Sequence, residues 1–327
     1  MSRPVLLLAG FAALLFALSA FAGTAPISVG ETWLALIGQG DERIRAIVWE
    51  LRLPRAAAAF AVGAALGLAG AALQGLLQNP LAEPGVLGVS AFAALGAVIA
   101  IFFGFAAVSS LAVPVAAIIG AGVATALLMA ATLRGAGTVT LLLIGIGLSS
   151  LAGALLSLAM NLAPNPFSLS DLVNWMMGSV ANRSWDDMAL GAPGWVLGAV
   201  LVLIAGPGLR AMSLGEETAA SLGANPLRLR LLVIGGTSLL AGTSVAVAGT
   251  IGFVGIVAPH ILRPLVRHDP QRLLVPAALF AGCLLMAADL AIRVLPTQQE
   301  LKLGVAAALA GAPVFIWIAS RLGRSGA

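Results

Sequence analysis

Residues Ala56 to Leu77 read AAAAFAVGAALGLAGAALQGLL, an uncharged run with Arg52 and Arg55 before it and Gln78-Asn79-Pro80-Leu81-Ala82-Glu83-Pro84-Gly85 after it. As a helix rising about 1.5 Å per residue, such a run crosses a hydrocarbon core of roughly 30 Å. It lacks the alternation of a barrel strand, and lipid offers no partner to an unpaired backbone group, so a helix is the spanning form that remains. Comparable runs recur at about 5–22, 86–104, 111–132, 139–161, 189–206, 229–248, 251–266, 273–294 and 303–320. The expected fold is therefore an all-α membrane protein of about ten transmembrane helices, a single polytopic domain over residues 1–327.

Composition agrees. Hydrophobic residues make up 60% of the chain and charged residues 9%, whereas soluble domains carry about 25% charged residues. The single cysteine, Cys283, excludes an intrachain disulfide framework or a thiolate metal cluster. The net charge of +4 comes from bases at span ends, where they set orientation rather than hold nucleic acid. With Met1 inside, Arg3, Arg134, Arg210, Arg228, Arg230, Arg263, Arg267, Arg272, Arg321 and Arg324 are inner, with Glu83, Glu216, Glu217 and Asp269; seven bases, among them Arg52, Arg55, Arg183 and Arg293, are outer. The excess of inner bases predicts that both termini are cytoplasmic. Ala20-Phe21-Ala22 imitates a signal-peptide cleavage site, and the expectation is an uncleaved anchor. Gly63, Gly67 and Gly70 form a small-residue stripe suited to close helix packing within the chain. The longest polar outer segment, 161–187, holds at 171–178 a candidate interfacial helix that could guard an outer mouth.

Several short segments carry the functional signal. Asn79-Pro80 and Glu83-Pro84-Gly85 forbid a continuous helix, so the stretch is a turn at the inner surface, either a plain connector or a pore gate. Leu214 to Gly223 is helix-length but too short to span, and Arg210, Arg228 and Arg230 hold it inside. Glu216 and Glu217 suit the positive end of its dipole, and Ala219 and Leu222 would share a face; a surface loop with one helical turn is the alternative. Arg52, Arg55 and Arg293 read as snorkelling anchors, and Thr138 as a cap for the span that follows it. Asp289 is the one acid well inside a span, and His260 reads as a packed polar residue, with no second histidine or cysteine at ligand spacing.

Two strings carry a family resemblance. Leu51-Arg52-Leu53-Pro54-Arg55 through Gly75-Leu76-Leu77-Gln78-Asn79-Pro80-Leu81-Ala82-Glu83-Pro84-Gly85-Val86-Leu87-Gly88-Val89-Ser90, and Gly252-Phe253-Val254-Gly255-Ile256-Val257-Ala258-Pro259-His260 with Gly311-Ala312-Pro313-Val314-Phe315, resemble the FecCD-type permeases of ABC importers for iron-siderophore, haem and cobalamin. The resemblance implies a type II ABC importer permease fold in the bacterial inner membrane. It implies a homodimer with two ATPase subunits below, one periplasmic substrate-binding protein above, and surrounding membrane lipid. It assigns Asn79, Pro80, Leu81 and Thr138 to a cytoplasmic gate, and Glu216, Glu217, Ala219, Leu222 and Gly223 to the coupling helix that docks on the ATPase. Arg52, Arg55 and Arg293 become docking residues for the binding protein. No Gly-x-x-x-x-Gly-Lys-Ser/Thr motif occurs, so the expected chain is a transporter subunit and not an enzyme, with no cofactor or metal of its own and with ATP and Mg on the partner ATPase.

The expected cargo is an iron chelate, siderophore or haem, with cobalamin as the alternative. A proton-coupled secondary transporter would place ionisable residues near the midplane, where Asp289 stands by itself in this reading. An intramembrane serine protease would need Ser90 and His260 as a pair, and no oxyanion-hole pattern accompanies them.

Overall fold

The computed structural model describes residues 3–23, 25–295 and 300–322. Met1 and Arg324, both used in the orientation argument, lie outside them. Ten apolar helices are present among the described residues: α1 (Arg3–Phe21), α2 (Leu53–Leu77), α3 (Val89–Phe102), α4 (Ala112–Leu133), α5 (Thr138–Asn161), α6 (Trp185–Met212), α7 (Pro226–Ala248), α8 (Val254–Leu262), α9 (Pro270–Val294) and α10 (Leu303–Leu322). Seven are long and apolar enough to cross a membrane, and α3, α8 and α10 supply shorter apolar pieces. The protein is thus an all-helical, multi-pass membrane protein. The turns after α2, α4 and α6 and the short helix Glu216–Ser221 share one end of the bundle, the Glu216 face; the short helix Val29–Leu36 marks the opposite, Trp33 face.

The bundle is layered. In α2 and α7 about four-fifths of the apolar window is buried, against 22% in α6 and 28% in α1 and α5. The central position of α2 follows from its glycines. A Cβ on Gly63 would lie 2.5 Å from the Ala281 carbonyl, one on Gly67 would overlap Ala281 and Ala277 of α9, and one on Gly70 would overlap the Gly255 carbonyl of α8. In lipid, where no hydrophobic force pushes helices together, such backbone proximity supplies the dispersion contacts that do. The small-residue stripe is used inside the chain.

Helix ends differ from the sequence expectation where capping outweighs hydropathy. α6 starts at Trp185, not at 189, because Ser184 and Asp187 form a reciprocal capping box. α9 starts at Pro270 because Asp269 accepts from the Gln271 and Arg272 amides. Upstream of α2 the helix continues back to Glu42 through a wide π turn at Ile47–Arg52, so Arg52 and Arg55 are mid-helix residues. The interfacial helix runs over Pro166–Met176, capped by Asn165 and packed through Leu172.

Two stretches of irregular backbone lie within the bundle. Gln78 (φ 47°) ends α2, and the chain re-enters through a 3-10 turn at Pro84–Leu87 before Gly88 (φ 78°) starts α3. Gly249 (φ 70°) ends α7, and the extended Thr250-Ile251-Gly252 leads to Phe253 (φ 66°) and α8. Their backbone groups are paired from neighbours: the Ser179 amide donates to the Ala248 carbonyl at 2.7 Å and the Ser149 hydroxyl to the Gly85 carbonyl at 3.0 Å. The Gln74 side chain donates to the Gly255 carbonyl at 3.4 Å. Irregular backbone at membrane depth is tolerated only where protein or a water-filled cavity surrounds it.

Candidate functional site

Both irregular stretches border a cavity of about 870 Å³. Its walls come from the Glu83–Gly85 turn, α3, α5, the Met176-Met177 end of the interfacial helix, the Thr250–Phe253 stretch and α10. The lining is apolar apart from Glu83, Ser90, Ser149, Thr250 and backbone. Ser149 donates its hydroxyl to the Gly85 carbonyl at 3.0 Å, and Thr250 donates to the Met176 carbonyl. The Glu83 carboxylate accepts from the Phe253 amide at 3.2 Å. Glu83 is therefore not an inner-surface acid. Gly255, which packs against Glu83, also touches the α2 backbone at Leu66 and Gly70, about 10–16 Å along α2 from Leu77.

At the Glu216 face, the Asn79 side chain accepts from the Leu81 amide at 2.9 Å, closing a turn that exposes Gln78 and half-buries Asn79, Pro80 and Leu81. Thr138 is the first residue of α5, but the capping position is Gly137 and no side-chain cap bond forms, so the capping role expected of Thr138 is corrected. Among the described residues no hydrogen bond joins Thr138 to Asn79, although both lie at this face. The helix Glu216–Ser221 is present, ended by Gly223 (φ 85°). Glu216 pairs with Arg230 at 2.8 Å, and Glu217 is exposed. Ala219 is fully buried whereas Leu222 is 66% exposed: they do not share a face, because Leu222 sits past the helix end.

The outward arginines are the largest departure. Asp289, buried in α9, receives Arg55 of α2 at 2.7 and 2.9 Å and Arg293, one turn along α9, at 2.8 Å. Arg55 also meets Glu300. Arg52 is buried and donates to the Ala20 and Ala25 carbonyls at 2.9 and 3.0 Å. These side chains border a separate cavity of about 440 Å³ toward the Trp33 face. Arg52 and Arg293 are structural members of the interior rather than snorkelling anchors, since their hydrogen bonds are spent inside. Of the three, Arg55 is the one not fully buried, its side chain 15% exposed. Sequence reasoning missed that Asp289 is the common partner of Arg55 and Arg293; an unmatched acid in a span, with unmatched arginines at span ends, was the available signal.

Among the described residues His260 Nδ1 has no hydrogen-bond partner. Gln74, buried in α2, accepts from Arg263 at 2.6 Å while donating to Gly255, so it ties both ends of α8 to α2. No group of three metal-ligating side chains occurs among the described residues.

The FecCD transport family model matches residues 11–321. The chain is similar to BtuC, the vitamin B12 import system permease protein of Vibrio cholerae, at 43% identity over 90% of this chain and 88% of that protein. It is similar to YvrB of Bacillus subtilis, an uncharacterized ABC transporter permease protein, at 40% identity over 89% of this chain and 83% of that one. Among solved structures, it matches an inward-facing conformation of a transporter assigned to the metal-chelate ABC type, with a TM-score of 0.85 and 30% identity over 97% of this chain and 98% of the other.

Proposed function

The chain belongs to the FecCD transport family and is a membrane permease of the ABC type, and from that premise we propose that it forms the path of an ATP-driven importer for a metal chelate. Two copies pair with their large cavities facing a common axis, in the bacterial inner membrane, with the Glu216 face and both termini cytoplasmic. Two separate ATPase subunits grip the Glu216 face, and one substrate-binding protein delivers cargo at the Trp33 face.

The observation that carries this reading is the cavity itself. It is walled by two re-entrant breaks, and unwound backbone at depth is where transporters build translocation sites. In the cycle, movement of the ATPases reaches the bundle through Glu216, Glu217 and the exposed Leu222, with Ala219 seating the helix on the core. The turn at Asn79, Pro80 and Leu81 and the start of α5 at Thr138 open and close the inner end. Of the arginines expected to dock the binding protein, Arg55 is the one free enough to take part, through exchange of its exposed partner Glu300; Arg52 and Arg293 support it from below. ATP and Mg bind the partner ATPases.

An iron chelate is the first cargo reading. Cobalamin is the second, favoured by the relatives named for vitamin B12 import. The test is chelate uptake into vesicles holding the permease with and without its ATPase, compared with a pH gradient alone. Uptake that needs ATP and the ATPase supports the reading, and uptake on a pH gradient by the permease alone overturns it in favour of a secondary transporter.

A further inference from the structure

A groove runs down the flank of the bundle between α4 and α7. Two cavities, of about 390 and 270 Å³, share Met129 of α4 and Gly235 of α7 and so form one continuous channel, with Leu201 of α6 beside its inner part. It shares no residue with the 870 Å³ cavity. Missing side chains leave the space open: a Cβ on Gly122 would meet no heavy atom within 4 Å, and one on Gly235 would press on the Met129 methyl. From Leu231 to Thr243 the α7 wall extends about 18 Å at 1.5 Å per residue. One leaflet of a hydrocarbon core near 30 Å is about 15 Å deep. Val123 and Leu127 of α4 are exposed beside the groove, and α4 buries only 33% of its apolar window, so the groove opens sideways to lipid.

The end of the groove at the Glu216 face is cationic. Arg228, exposed in the first turn of α7, lines it and forms no ion pair among the described residues, while Glu216 is spent on Arg230. A base in the first turn adds to the positive end of the helix dipole, where anions are favoured. The other polar side chains of the lining do not offset that charge. Asn225 accepts from the Arg228 amide at 3.0 Å, Thr125 donates to the Ala121 carbonyl at 2.6 Å, and the Thr243 hydroxyl lies against Gly194 of α6. Ser238 Oγ has no partner among the described residues, but it is buried within the wall and about 15 Å along α7 from Arg228, at acyl-chain depth. We infer that the groove seats one anionic phospholipid, its phosphate on Arg228 and one acyl chain running along α7 past Met129 to Gly122. Basic pockets between membrane helices recognise such headgroups. The site rests on the multi-pass fold and is independent of cargo and energy source.

The test counts lipids. The full chain is reconstituted in phosphatidylcholine bilayers containing phosphatidylglycerol and extracted in a mild detergent, and native mass spectrometry measures the lipids each molecule retains. The ratio of retained phosphatidylglycerol to phosphatidylcholine, normalised to the bilayer, is expected to exceed one and to fall about fivefold in Arg228→Gln, the share of one base at an anionic headgroup. Arg228→Lys should keep most of the preference, and Arg272→Gln, a base outside the groove lining, all of it. Gly122→Leu, which fills the groove, should lower retention of both lipids with the unfolding midpoint unchanged. A ratio of one in the unaltered chain, or an equal fall in Arg228→Gln and Arg272→Gln, overturns the site. So does displacement of phosphatidylglycerol by excess inorganic phosphate, which would mark a bare anion site. A changed oligomeric state in Gly122→Leu would assign the face to a second copy and overturn it as well. Arg228 is exposed and unpaired among the described residues, so its replacement leaves the fold intact and the ratio readable.

Discussion

Replacing Asp289 by leucine tests the account of the arginine cluster most sharply. The carboxylate is 1% exposed and neutralises two guanidinium groups at once, Arg55 from α2 and Arg293 from α9. The two cations lose unequal amounts when it goes. Arg55 is 15% exposed and keeps Glu300. Arg293, with its side chain 3% exposed, keeps among the described residues only the Ser19 carbonyl at 3.4 Å. Leaving one buried charge uncompensated costs about 3–5 kcal/mol, so Asp289→Leu should destabilise the chain by that amount, nearly all of it through Arg293. Two consequences follow for a double-mutant cycle. Arg293→Met combined with Asp289→Leu should recover at least half the loss, because the stranded cation is gone, whereas Arg55→Met combined with Asp289→Leu should recover little. Denaturant unfolding in detergent micelles measures Asp289→Leu, the two single arginine variants and the two doubles. A loss below about 1 kcal/mol for Asp289→Leu, or strict additivity with Arg293→Met, would show that the cluster behaves as solvated surface charge and would refute the reasoning.

Gly67→Val places a branched side chain where even a Cβ overlaps Ala281; overpacking of this kind costs about 1–3 kcal/mol, and a lowered unfolding midpoint checks it. Gln74→Leu leaves Arg263 and the Gly255 carbonyl without their partner, a penalty of about 1–3 kcal/mol; the α8 amides should then exchange hydrogen faster than those of α7. Glu216→Ala removes a pair that is half exposed on the carboxylate side, worth less than about 1 kcal/mol. With Leu222→Ala it should leave the unfolding midpoint within a degree or two while chelate uptake per ATP hydrolysed falls several-fold; unchanged coupling in an assembled complex would count against the docking role.

Much of this molecule was legible because membrane helices announce themselves locally. The run from Ala56 to Leu77 is a helix for reasons of length and lipid alone, and the stripe of Gly63, Gly67 and Gly70 already implied a close neighbour. Turn chemistry at Asn79-Pro80 marked the first interruption, and Gly215 with Gly223 bracketed the short helix between α6 and α7. The boundaries drifted where a cap decided them, as at Ser184 and Asp269, since one hydrogen-bonded side chain can extend a helix past the point where hydropathy falls.

Depth and partnership were not legible. Glu83 follows a turn at the Glu216 face, which suggests a surface acid, yet the re-entrant backbone carries it to the Phe253 amide, 170 residues away in sequence. Arg55 and Asp289, separated by 234 residues, are an exposed base and an unexplained acid until α2 and α9 pack together. Ala219 and Leu222 differ in burial because the core under Ala219 is built by other helices and because the short helix stops before Leu222. The chain's own order of residues determined the helices, their interruptions and the family. Which charges face a cavity, which are buried in pairs and which remain free was decided by the packing of helices distant in sequence, because the energy of a charge depends on its surroundings rather than on its neighbours along the chain.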